Sequence, residues 1–145
     1  MSLNPKEAEL LRRAIALAAI ARESGNPPFG SLVVDGDLNM LCEEVNSTLT
    51  EGDITAHPEL KIARWVGENH AREDAAAFTM FTSCEPCSMC AGAIARSGIG
   101  RVVYALSGEQ LGEIKPADAP SPLFPWTADG PHLRDEAVAP VAGYY

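Results

Sequence analysis

Thr55-Ala56-His57-Pro58-Glu59 and Ser83-Cys84-Glu85-Pro86-Cys87-Ser88-Met89-Cys90 are the two stretches on which the reading of this chain turns. The first offers an imidazole and, two residues on, a carboxylate. The second offers thiols at i and i+3 directly behind a proline. One imidazole and two thiolates are donors that zinc accepts in tetrahedral geometry, with a fourth position left open. His57, Cys87 and Cys90 are therefore the candidate zinc ligands. A Cys-x-x-Cys pair alone is weak evidence for a metal; its combination with His-x-Glu is strong.

Cys84, Cys87 and Cys90 fall at i, i+3 and i+6, so a closed structural site of three cysteines and one histidine is an alternative. Pro86 favours the open site, because it presets the helix entry at Cys87 and leaves Cys84 on the preceding segment. Glu59 favours it as well. A carboxylate next to a ligand has acid–base work to do beside an open position and none beside a structural ion. Its purely structural role is that of a first-turn acid stabilised by the helix dipole.

Outside these stretches the composition bounds the answer. A chain of 145 residues, 46% apolar and 21% charged, fits one globular domain spanning 1–145. The longest apolar stretch, 14–21, is far short of the roughly 20 residues needed to cross a bilayer. The first residues lack a basic patch leading into an apolar segment, so no signal peptide is expected. Three of the four cysteines are clustered, which suits a metal or reactive site in a reducing compartment better than a disulfide framework. A cytoplasmic protein is the expectation. The net charge of −9, from 11 basic and 20 acidic residues, argues against a long nucleic acid as partner.

In chain order, Asn4-Pro5-Lys6-Glu7 predicts a capped helix start, and Leu10, Ala14, Leu17, Ala18 and Ala21 supply its buried face up to Ser24-Gly25. Glu9 and Arg13 are expected to pair across one turn. Residues 29–34 and 38–45 read as a hairpin around Asp35-Gly36-Asp37. A second helix starts at or just before His57 and breaks around Asn69-His70, with Pro58 tolerated in its first turn. Residues 76–82 read as a central strand, 88–97 as a helix with small residues Ala91, Gly92, Ala93 and Ala95 for close packing, and 101–106 as a further strand. This order describes one sheet covered by helices on both faces. From 107 to 145 a proline-rich arm follows, with Leu123, Phe124 and Trp126 among its prolines and brief helical pieces at 109–113 and 135–139.

Pro28-Phe29-Gly30, Asn46, His57-x-Glu59, the run from Phe81 to Cys90 and Ala91-Gly92-Ala93-Ile94 together resemble the cytidine-deaminase-like superfamily, most of all its bacterial guanine deaminases. The likeness covers roughly residues 5–106. It implies an α/β fold of three layers, α/β/α, around a five-stranded mixed sheet. It also implies Zn2+ on His57, Cys87 and Cys90, with Cys84 at a non-ligand position, and Glu59 as the catalytic proton shuttle. Asn46, Phe29 and Gly30 would bind substrate, and the chain would form a homodimer. One departure is visible: the family usually has alanine where this chain has Pro58.

The implied activity is zinc-dependent hydrolytic deamination of a nucleobase or nucleoside, guanine to xanthine and ammonia first. Cytosine or cytidine deamination is a variant of the same chemistry, since Asn46 can pair with either ring type. A tRNA adenosine deaminase shares most of the motif but needs a basic surface. The segment after Leu106 carries six acidic and two basic residues, so it does not supply one. A non-catalytic zinc-stabilised domain requires Cys84 to close the site.

Overall fold

A computed structural model describes residues 2–115, 127–129 and 131–144 of the chain. The first helix, α1 (Pro5–Glu23), begins as its sequence requires. Asn4 Oδ1 accepts from the Glu7 N–H at 2.8 Å, and Glu7 Oε2 accepts from the Asn4 N–H at 3.2 Å. Leu10, Ala14, Leu17, Ala18 and Ala21 form its buried face. Arg13 does not pair with Glu9. Its guanidinium makes two hydrogen bonds, of 2.6 and 2.9 Å, to Glu43 on the neighbouring strand, a fork that one helical turn cannot match.

Strands β1 (Gly30–Val34) and β2 (Met40–Val45) form the expected hairpin. Asp35 stabilises its turn by accepting from the N–H groups of Asp37 and Asn39. A short helix, α2 (Thr48–Glu51), precedes α3 (Pro58–Asn69), and a single turn, α4 (Arg72–Ala75), precedes β3 (Thr79–Cys84). The central strand thus starts later than expected, because Ala76 and Ala77 are drawn into the turn that ends α4. Helix α5 (Ser88–Ser97) and strand β4 (Arg101–Leu106) lie where the pattern put them.

The sheet order is β2-β1-β3-β4, with β3 and β4 parallel and the other pairs antiparallel. Alternation along the strands divides the core in two. Leu32, Val34 and Phe81 meet Leu10 and Ala14 of α1, while Val33 and Met80 meet Ile62, Ala63 and Val66 of α3 and Ile94 of α5. This is a three-layer α/β/α arrangement.

The expected five-stranded sheet is corrected: among the described residues there are four strands. After β4 the Ser107 hydroxyl accepts from the Gln110 N–H at 3.1 Å, and the Gln110 side chain accepts from the Ser107 N–H at 2.9 Å. This capping box diverts the chain into α6 (Gly108–Ile114) before a fifth strand can form. The brief helical pieces expected in the arm correspond to α6 and to α7 (Arg134–Val138), and residues 131–144 are exposed throughout. Leu123, Phe124 and Trp126 lie outside the described residues. No helix among the described residues is long and apolar enough to cross a membrane.

Candidate zinc site

His57 is the N-cap of α3 and Pro58 its first helical residue, so the missing proline N–H costs the helix no bond. Cys87 is the N-cap of α5, and Cys90 follows one turn in on the same face. Packing α3 beside α5 brings the two helix starts together. Of the small residues expected to allow this close packing, Ala93 packs against the shared core, whereas Ala91 and Ala95 are exposed.

The donor atoms of His57, Cys87 and Cys90 all lie within 4.8 Å of one another. His57 Nδ1 stands 3.7 Å from Cys87 Sγ and 3.5 Å from Cys90 Sγ. Zn–S bonds of about 2.3 Å and Zn–N bonds of about 2.0–2.1 Å at tetrahedral angles require an N···S separation of about 3.6 Å. The trio therefore fits a single zinc ion. Cys84, buried on β3, is not part of the group, so the fourth position is not closed by a third cysteine.

The protonation balance of the trio also favours a dication. The Cys87 thiol is pulled down to about 3, chiefly by its hydrogen bond with Cys90 and then by the His57 ring. Cys90 is pushed up, first by that same bond to Cys87 and then by burial and the Glu59 charge. Its hydrogen bond to Cys87 pushes the His57 ring up as well. Two adjacent thiolates are not tolerated on their own. Zinc held by the trio would take the place of their protons and neutralise both.

Glu59, in the first turn of α3, is 5% exposed. Its Oε2 lies 3.6 Å from Cys90 Sγ, and its Oε1 accepts from Thr82 Oγ1 at 3.0 Å. Burial pushes the carboxyl above its ordinary range, against the opposing pull of a backbone N–H and the Thr82 hydroxyl. No lysine or arginine among the described residues forms an ion pair with it. Thr82 is the neighbour that sequence reasoning missed, since only the crossing of α3 over β3 places it beside the carboxyl.

Asn46 is buried at the end of β2. Its N–H donates to the Phe29 carbonyl at 3.0 Å, and the next N–H, of Ser47, donates to the Ala56 carbonyl beside His57. Its Oδ1 accepts from the Thr48 N–H and hydroxyl, which leaves the Nδ2 without a partner among the described residues. Phe29 is half-buried. Gly30 is pressed under α1, where a Cβ would stand 2.6 Å from the Ala18 nitrogen and 2.7 Å from the Ala14 carbonyl oxygen.

The family model of the cytidine and deoxycytidylate deaminase zinc-binding region matches residues 4–106, which hold the whole sheet and the zinc trio. The chain belongs to this family. Its zinc-binding region ends with β4, so the arm lies beyond the matched residues. A probable cytosine deaminase of Schizosaccharomyces pombe is 34% identical, over 99% of this chain and 94% of the relative. A tRNA-specific adenosine deaminase of Haemophilus influenzae is 35% identical, but there the match spans 73% of this chain and 61% of the relative. The crystal structure of Bacillus subtilis guanine deaminase superposes with a TM-score of 0.68 at 26% identity, covering 96% of this chain and 92% of that one. This chain is a zinc-dependent deaminase by its family and its donor set.

Proposed function

We propose that the chain hydrolyses the amine from a free nucleobase, converting guanine and water to xanthine and ammonia. The observation that carries this reading is the buried Glu59 carboxyl, held without an ion-pair partner next to the His57–Cys87–Cys90 cluster. When bound, zinc supplies a water activated for attack at neutral pH. Glu59 Oε2 then receives the proton released in the attack and delivers it to the ring nitrogen and afterwards to the departing amine. Burial, which raises the affinity of this carboxyl for a proton, suits it to that exchange.

The Asn46 Nδ2 is a free donor for the edge of a base, and Phe29 offers an aromatic surface at the approach. Gly30 allows the chain to pass tightly beneath α1 and so sets where Phe29 stands. The likeness to the Bacillus subtilis guanine deaminase over nearly the whole chain supports guanine. The net charge of −9 supports a neutral base over a polynucleotide. A single catalytic domain with its arm at 107–145, working as a cytoplasmic homodimer, completes the reading. Cytosine is the second reading, favoured by the match to the S. pombe relative, which extends through the arm.

Ammonia release from guanine, guanosine, adenine, adenosine, cytosine, cytidine and an adenosine-containing tRNA stem-loop tests the proposal. Guanine is expected to be turned over fastest. Preference for cytosine establishes the second reading, and turnover of the stem-loop alone overturns both.

A further inference from the structure

Ser31 and Thr82 face each other across the β1–β3 ladder, and both are fully buried. Ser31 Oγ donates to Thr82 Oγ1 at 2.7 Å. Thr82 Oγ1 in turn lies 3.0 Å from Glu59 Oε1 and 3.2 Å from the Cys84 carbonyl oxygen. A hydroxyl has one proton to give. Ser31 gives its proton to Thr82, so the Thr82 proton is directed at the two acceptors beyond, Glu59 being the nearer. The strand residues around the pair, Leu32, Val33, Met80 and Phe81, are apolar and fully buried. A methyl group at either position would fill the layer without a polar atom to satisfy, so two hydroxyls there need a reason.

We infer that Thr82, braced by Ser31, is a positioning residue for Glu59. Holding Oε1 against β3 fixes the carboxyl so that Oε2 is the oxygen turned toward the zinc trio, 3.6 Å from Cys90 Sγ. The inference rests on the proton-transfer role proposed above for Glu59. A glutamate has three rotatable bonds, and a catalytic group displaced by about 1 Å loses on the order of 100-fold in rate. The hydrogen bond from Thr82, in a water-excluded layer and toward a carboxylate, is of the strong, orienting kind. The effect belongs in turnover rather than in substrate binding, because Thr82 acts on Oε1 of the carboxyl while Oε2 is the oxygen beside the trio.

The test compares Thr82→Val, Thr82→Ser and Ser31→Ala in the zinc-loaded full-length protein, using whichever of guanine and cytosine the wild type turns over faster. Thr82→Val is expected to lower kcat about 10-fold or more, with KM within about 2-fold and zinc content unchanged. Thr82→Ser restores the hydroxyl and is expected to recover kcat. Ser31→Ala leaves the Thr82 hydroxyl free to turn and is expected to give a smaller fall in kcat. Wild-type kcat in Thr82→Val, or a loss that follows zinc dissociation, overturns the inference. If Thr82→Val does not fold, Ser31→Ala decides, and its unchanged kcat is the overturning result. Glu59→Gln in the same assay separates the two levels. Its activity would remove the role assigned to Glu59, whereas an inactive Glu59→Gln beside a fully active Thr82→Val removes the positioning inference alone.

Discussion

His57 Nδ1 and Cys90 Sγ stand 3.5 Å apart, although 33 residues and the central strand β3 separate them in sequence. Neither residue bends toward the other through a loop. Each sits in the first turn of its own helix, at the N-cap for His57 and one turn in for Cys90, and α3 and α5 lie side by side over the same core. A donor set carried on packed helices is preorganised, so metal affinity and core stability are coupled.

Zinc content follows. The protein is expected to hold about one zinc per chain, and Cys87→Ser is expected to lose it together with activity. Cys84→Ser removes a buried thiol that is no part of the trio, so zinc and most activity are expected to remain. X-ray absorption at the zinc edge is expected to show two sulfur neighbours. Three sulfurs, falling to two in Cys84→Ser, would return the site to the closed structural type.

Glu59→Gln keeps the shape of the side chain and its bond from Thr82 while removing the exchangeable proton. Turnover is expected to fall about 100-fold or more, with the fold and zinc content intact. Near-normal turnover in metal-replete Glu59→Gln assigns Glu59 to the helix dipole instead.

At Gly30 the competing readings are substrate binding and close packing. A Cβ there would stand 2.4 Å from Leu17 Cβ, and backbone atoms of α1 lie almost as near. Since the helix backbone cannot yield as a side chain tip can, Gly30→Ala must push α1 off the sheet. It is expected to destabilise the fold by about 1–3 kcal/mol or more in urea titration. Full stability with impaired turnover would instead place Gly30 in the pocket.

Legibility followed the range of the interactions. The cap at Asn4 and Glu7, the helix start at Pro58 and the i, i+3 pair Cys87 and Cys90 are set by neighbours in sequence and could be read there. The hairpin was legible from Asp35-Gly36-Asp37 between apolar runs. Sequence spacing pairs Arg13 with Glu9, its helical neighbour, because its partner Glu43 becomes adjacent only after β2 folds back. Thr82 is one more strand residue in the sequence pattern, since its contact with Glu59 depends on how α3 crosses β3. The fifth strand came from family likeness rather than from any apolar alternation after Leu106, and the Ser107 capping box explains the helix found there.

Two ion pairs give stability a defined pH dependence. Glu7 is held below the ordinary carboxylate range, chiefly by its hydrogen bond from Arg101, and Glu43 likewise by Arg13. A folded-state value below the unfolded one contributes stability above the unfolded value, about 4.3, that is lost as pH falls through the folded value. Gln can still close the helix cap at position 7, so Glu7→Gln isolates the charge. Its melting temperature is expected to lie below wild type at pH 7 and to converge with it in acid, below the usual carboxylate range. A gap that persists in acid assigns the contribution to packing.

Asn46 joins two roles that one substitution can separate. Its Oδ1 accepts from the Thr48 N–H at 3.0 Å and from the Thr48 hydroxyl at 2.9 Å, which shapes the turn into α2. Its Nδ2 has no partner among the described residues and is the atom proposed to meet the base. Asn46→Ala removes both functions, so a loss of activity there could come from a distorted turn. Asn46→Asp retains acceptor oxygens for Thr48, but it replaces the amide donor with a carboxyl that ionises at neutral pH. If the amide reads the base, Asn46→Asp is expected to keep the turn into α2, to melt below wild type by the cost of its buried charge, and to lose about 10- to 100-fold in kcat/KM, because a buried acceptor on the base is left unpaired. Asn46→Ala is expected to lose stability in addition, about 1 kcal/mol for the missing turn bond. Wild-type kcat/KM in Asn46→Asp would confine Asn46 to the turn and move base recognition to other groups around the pocket.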